Sequence, residues 1–139
     1  AEPAYLCGVL AGRLTKSGVV GVVCGRPEPH VHRTVNAYIQ GARDVNPAVK
    51  VKVTFIDAWF DPPKARQAAL DQTAAGADLI YAEREGAIAA AREKGVLAPW
   101  HGWDGRLPPD VMELLREKER ALKAGTLVLR PSTDRPAGD

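Results

Sequence analysis

Residues 37–77 read AYIQGARDVNPAVKVKVTFIDAWFDPPKARQAALDQTAAGA, and this stretch decides the fold. A helical pattern ends at Val45-Asn46-Pro47. A β-branched run, Val49 to Ile56, then predicts a strand. A second helix is expected from Asp61 to Ala75, with Asp61 as its cap and Pro62-Pro63 in its first turn. Helix, strand and helix with such short connections are half of an open α/β sheet. The strand runs into Asp57-Ala58-Trp59-Phe60-Asp61, which puts aromatic and polar groups at its carboxyl end. Ligands of open α/β sheets bind at that end, so the functional question concentrates there.

Outward from this stretch the alternation continues. Upstream, Ala4 to Lys16 predicts a helix with an i, i+4, i+8 stripe of Leu6, Leu10 and Leu14. Gly8 and Gly12 offer it a second, close-packing face, and Gly18 is the expected left-handed stop. Val19 to Cys24 is an unbroken apolar run, the pattern of an interior parallel strand. A loop from Gly25 to Pro29 leads to a helix that buries Val31, Val35, Ile39 and Ala42. Downstream, Asp78 to Tyr81 predicts a third strand and Arg84 to Lys94 a further helix. Residues 97–106 have no period and read as an aromatic-rich loop. A last helix runs from Pro108 to about Lys123 and stops at Gly125, and Thr126 to Leu129 reads as a short edge strand. The expected fold is α/β: a small open parallel sheet of 3–5 strands with helices on both faces, a flavodoxin-like single lobe. Residues 1–130 form that lobe, and 131–139 a disordered tail.

Composition narrows the classes. A chain of 139 residues is one domain by size. The formal charge of +2 gives no reason to expect a nucleic-acid partner. No run reaches membrane-spanning length. Ala1-Glu2-Pro3 has neither a basic start nor an apolar stretch, so no signal peptide is expected in this chain. Arginine outnumbers lysine twelve to seven and proline is frequent, which suits a heat-adapted source. Cys7 and Cys24 fall in a helix and at a strand end, where two buried thiols suit a regular core better than a staple. No nucleophile elbow, P-loop or His/Cys cluster occurs, and Gly18, Gly21 and Gly25 make no dinucleotide fingerprint. The expectation is therefore no catalysis, no cofactor and no metal.

The motifs also resemble a family. GAR followed by Val-Asn-Pro, a strand, Trp-Phe-Asp-Pro, a Lys-Ala-Arg helix, then GAD and a short apolar strand is similar to the basic membrane protein (BMP) family. The likeness extends upstream through YLCGVLAGRLTKSGVVGVV and RPEPHVHRTVNAYIQGA. It resumes downstream in WHGWDGRLPPDVMELLREKERALKAGTL. These are extracytoplasmic substrate-binding proteins of ABC importers, type I periplasmic binding proteins of two lobes. The Trp-Phe-Asp-Pro form is most like the branch for purine bases or nucleosides. The resemblance implies a small-molecule purine or nucleoside as ligand, and an ABC permease as partner of the parent protein. It departs from the family pattern after Val96, which runs straight into Leu97-Ala98-Pro99, and no first lobe precedes Ala1. The chain thus reads as the second lobe with an excursion excised, an engineered single lobe or a natural deletion, weak or inactive in binding by itself. Two alternatives stand beside it: a stand-alone flavodoxin-like structural domain without transport function, and a BMP-like sensor domain of a regulator.

Each candidate residue has two readings. Trp59 and Phe60 form a stacking platform for a purine ring, or loop aromatics pinned on the core. Asp61 accepts from a sugar hydroxyl or base amine, or only caps a helix. Arg26 and His30, in the loop that the resemblance places at the cleft, contact a polar ligand. His30 and His32 at i, i+2 splay apart on a helix, which argues against a metal. Glu83 at the end of the third strand is a ligand contact, or with Glu85 part of a solvated helix start. Trp100, His101 and Trp103 form a binding patch, or cover the sheet edge. An apolar patch near Trp59, Trp100 and Trp103 would favour a homodimer.

Overall fold

A computed structural model of the chain describes residues 1–83, 86, 87, 90, 107–136, 138 and 139. Three strands form one parallel sheet: β1 (Val19–Cys24), β2 (Lys50–Phe55) and β3 (Leu79–Ala82), in the order β2–β1–β3. Val19 pairs with Lys50 and Cys24 with Phe55; Val20 pairs with Leu79 and Val23 with Ala82. The helices whose bounds fall within the described residues are α1 (Glu2–Leu14), α2 (Pro29–Val45), α3 (Pro62–Ala74) and α4 (Pro109–Ala124). The α/β class and the small parallel sheet are as the alternation predicts. Of the expected helix over 84–94 only Gly86, Ala87 and Ala90 are described, with Ala90 N donating to the Gly86 carbonyl at 3.0 Å, and the Trp100, His101, Trp103 patch lies outside the described residues. Among the described residues no helix is long and apolar enough to cross a membrane.

The period of β1 divides the core in two. Val20, Val22 and Cys24 point into a cluster with Tyr5, Val9, Val35 and Tyr38 of α1 and α2, and with Val111 and Leu115 of α4. Val23 points the other way, onto Ala65, Ala68 and Ala69 of α3 and Ile80 of β3. Helices therefore cover both faces, and β1 is buried on both, which is why it reads as an unbroken apolar run. Cys7 and Cys24 are buried thiols of the first cluster.

The inner face of α1 is not the leucine stripe. Leu6, Leu10 and Leu14 are only half-buried, whereas Tyr5, Gly8, Val9 and Gly12 are buried. Gly8 sits on the Tyr38 carbonyl of α2, and Gly41 of α2 sits on the Tyr5 carbonyl. Backbone meets backbone there, and the leucines are left to the flank facing α4, whose Asp110 holds Arg13 at 2.8 Å.

On the other face Gln72 of α3 is buried against the sheet. Its Nε2 donates to the Val22 carbonyl at 3.0 Å and to Thr54 Oγ1 at 2.8 Å. A Cβ at Gly21 would strike Gln72 Oε1, so the glycine inside β1 makes room for this side chain.

Thr126 to Leu129 is not a strand. The segment folds back on the end of α4, where Leu127 N donates to the Ala121 carbonyl at 3.1 Å and Thr126 Oγ1 to the same oxygen at 3.2 Å. Gly125 ends α4 in the left-handed region at φ 74°. Leu127 N and the Thr126 hydroxyl are thus spent on capping the helix, and β propensity alone does not make the segment a strand.

The amino end of the sheet is tied by Asp78. Its carboxylate accepts from Thr15 Oγ1 at 2.6 Å, Lys16 N at 2.7 Å and Ser17 N at 2.9 Å. Burial alone would raise its pKa, but these hydrogen bonds together outweigh that and hold it below the ordinary carboxylate value. Its folded pKa is thus below the unfolded one. The resulting stability is fully present above about pH 4 and is lost as pH falls through the folded value. Asp78→Asn is expected to lower the urea midpoint at pH 7, and the difference from wild type should shrink below about pH 4. A difference that persists unchanged to pH 2 would contradict this reading.

Candidate functional site

Three loops leave the carboxyl ends of the strands, and specific bonds hold them together. After β1, Gly25 N donates to Glu83 Oε2 at 2.9 Å, and Glu83 N donates to the Val23 carbonyl at 3.0 Å. After β2, Asp57 N donates to the Gly25 carbonyl at 3.3 Å. Asp57 reaches this position with φ 56°, a left-handed conformation that aspartate tolerates better than most residues. After β3, Gly86 packs on the Pro62 carbonyl, with φ 89°. A side chain there would separate the third loop from the start of α3.

On this platform stand the aromatic groups. The Trp59 indole stacks on the His30 imidazole, with centroids 5.8 Å apart and planes inclined by 19°. Trp59 is 42% exposed and Phe60 74%. These are the large exposed aromatics among the described residues, and both lie past the carboxyl end of β2. His30 sits in the first turn of α2, with Glu28 Oε2 3.7 Å from its Nδ1. Arg26 is exposed in the same loop.

The structure brings Trp59, His30 and Phe60 to one edge and gives two other candidates local duties. Asp61 is the N-cap of α3, and its Oδ1 accepts from Lys64 N at 3.1 Å. Glu83 clasps the start of the β1 loop and so shapes the platform from below. His32, two residues beyond His30, turns inward instead. It is buried, its Nδ1 lies 2.9 Å from the Thr133 carbonyl, and its ring meets Phe55 edge-on. Among the described residues no group of three or more metal-ligating side chains converges.

The roles of Glu83, Asp57 and Gly86 escape a reading by motif. Two of them had a signal: an aspartate two residues past β2 and a glycine four residues past β3 are residue types that take the left-handed region in turns.

The fold and its loop edge define a lobe of the open α/β type. Residues 1–103 match the family Bmp, ABC transporter substrate-binding protein PnrA-like, and the chain belongs to that family. It is 43% identical over 97 residues to a candidate glucose-binding protein of an ABC transporter, TsgA13, from Haloferax volcanii. That match covers 68% of this chain and 25% of the relative. It is 35% identical over 99 residues to a purine-binding protein of Brucella abortus, covering 70% of this chain and 28% of the relative. The chain thus spans about a quarter of the length of these relatives. Among solved structures, an ABC transporter solute-binding protein from Conexibacter woesei superposes with a TM-score of 0.73 at 19% identity, over 92% of this chain and 62% of that one. At that identity the likeness speaks for the fold.

Proposed function

We propose that this chain is one ligand-binding wall of an extracytoplasmic substrate-binding protein serving an ABC importer, with a purine base or nucleoside as ligand. The observation that carries the reading is the Trp59–His30 stack, exposed at the carboxyl edge of the sheet in a member of this family. A flat indole face offers a purine ring about 1–3 kcal/mol of stacking. Arg26 and the free edge of the His30 ring would then meet polar atoms of the ligand, and Phe60 would extend the platform. The proposed role is binding, not catalysis.

A two-lobed binding protein encloses its ligand between walls, and one wall leaves half of the ligand in water. The isolated chain is therefore expected to bind in the high micromolar to millimolar range, and the two-lobed parent far more tightly. Exposed Trp59 and Phe60 also favour a two-fold homodimer through this edge.

The name of TsgA13 supports a sugar as the competing ligand. Calorimetry of the two-lobed parent against adenine, adenosine, guanosine, inosine and glucose separates the two. Heat with at least one purine and none with glucose is expected. Saturable binding of glucose alone would overturn the purine reading.

A further inference from the structure

Two short segments set the Trp59–His30 stack. One is the first turn of α2, which carries His30; the other is the end of β2, which leads through Asp57 to Trp59. The close glycine contacts of α2 with α1 fall in its second half, from Tyr38 to Val45. Nearer its start, α2 is held to the sheet by the buried Val31 and Val35 and by contacts with residues 132–136.

Residues 132–136 touch both segments. On α2, the Thr133 carbonyl lies 2.9 Å from His32 Nδ1, two residues past His30. One turn on, Asn36 Nδ2 donates to the Ser132 and Asp134 carbonyls, at 2.7 and 3.0 Å. On β2, the Arg135 guanidinium stands over the Phe55 ring, 5.2 Å from its centroid, a cation on an aromatic face. The His32 ring meets the same phenyl edge-on, with centroids 5.5 Å apart. The turn that aims these groups is closed by its own bonds: Ser132 Oγ donates to Asp134 Oδ2 at 2.8 Å, and Asp134 N donates to Ser132 Oγ at 2.9 Å. Phe55 and His32 thus meet each other and the same short segment.

His32 is the centre of this arrangement. A carbonyl only accepts, so the Nδ1 facing Thr133 carries hydrogen. Nε2 is buried and has no partner among the described residues. The Thr133 bond therefore selects the Nδ1–H tautomer of the neutral ring.

We propose that residues 132–136 are a buttress that sets the spacing of Trp59 and His30, with Asn36, His32 and Arg135 as positioning residues for the ligand face. Each acts through the start of α2 or through Phe55, and none belongs to the stack. A site keeps its geometry when the groups behind it are themselves pinned. The part played in ligand binding rests on the purine reading; the part played in stacking does not.

Nuclear magnetic resonance on the full chain tests this. Trp59→Ala gives the His30 ring shifts without the indole, so the difference from wild type is the ring-current shift of the stack. The double variant Asn36→Ala, Arg135→Ala should lose most of that shift. Its His32 nitrogen shifts should move toward the Nε2–H tautomer, and adenosine should bind about threefold more weakly or worse. The single variant Arg135→Ala, at an exposed position, should change all three in the same direction and decides if the double variant does not fold. Arg135→Lys keeps a cation over Phe55 and should retain the shift. Asp78→Asn lowers stability from the opposite end of the sheet and should leave the shift unchanged, which separates positioning from stability. An undiminished stack shift in the alanine variants, or an equal loss in Asp78→Asn, would overturn the buttress. A lost shift with unchanged adenosine affinity would overturn its part in the ligand face. Wild type that binds no adenosine would remove the purine reading, and the stack shift and the His32 tautomer would still decide the buttress.

Discussion

Gly41→Ala is expected to destabilise the protein by about 2–3 kcal/mol, and the double variant Gly8→Ala, Gly41→Ala to leave it largely unfolded. On an exposed helix the same change would stabilise by about 1 kcal/mol, because glycine is the poorer helix former. The sign reverses here because of what each Cβ meets. At Gly41 it would run into the Tyr5 carbonyl, with Val9 N 3.0 Å away; at Gly8 into the Tyr38 carbonyl, with Ala42 N 2.9 Å away. These are main-chain atoms of the facing helix and cannot rotate aside, so α1 and α2 must move apart. Overpacking of this kind costs about 1–3 kcal/mol or more at each site. A domain of this size has only about 5–15 kcal/mol in total. Thermal or urea unfolding measures the outcome. A melting temperature raised by Gly41→Ala would show that the helices do not cross backbone to backbone.

The second large effect is on ligand. If Trp59 is the stacking surface, Trp59→Ala in the two-lobed parent should weaken purine binding about 5- to 150-fold, the equivalent of about 1–3 kcal/mol. The fold should be little affected, since the indole is nearly half exposed and outside both core clusters. Asp61→Asn provides the contrast. Asparagine caps a helix as well as aspartate does, so a residue that serves only the cap will leave affinity unchanged, and one that meets the ligand as a carboxylate will not. Equal affinity of wild type and Trp59→Ala by calorimetry would remove Trp59 from the binding wall.

How much of this was legible in the residues depends on the range of the interactions. The strands and helices from Glu2 to Ala82 were readable because local signals agree: apolar β-branched runs for β1 and β2, and Pro62 at the start of α3. Gly18 is left-handed as expected, at φ 75°, but it lies in the turn before β1, three residues past Thr15, which caps α1. The failures came where a distant partner overrides a local pattern. Leu6, Leu10 and Leu14 make the more obvious apolar stripe and are only half-buried; the close-packing face expected of Gly8 and Gly12 is the buried one, and its partner Gly41 on α2 is what the local pattern does not reveal. Thr126 to Leu129 carries strand-forming residues, yet the end of α4 takes Leu127 N and the Thr126 hydroxyl. The site was half legible. An aromatic pair after β2 and a histidine after β1 could be placed at one edge by topology alone. That Trp59 stacks on His30, that Glu83 clasps Gly25, and that His32 turns inward to the Thr133 carbonyl all depend on contacts between residues 29 to 101 positions apart, which no local period records.

The central claim is that the edge carrying Trp59 and His30 is the face that meets a purine. Its most direct test is a nuclear magnetic resonance titration of the isolated chain with adenosine, guanosine and inosine up to several millimolar. The claim predicts saturable shifts, with at least one of these ligands, in the Trp59 indole, the His30 ring and the Gly25 and Asp57 amides, and none in the Asp78 cluster at the opposite end of the sheet. Absence of any shift at millimolar ligand, or shifts confined to residues away from this edge, would contradict it.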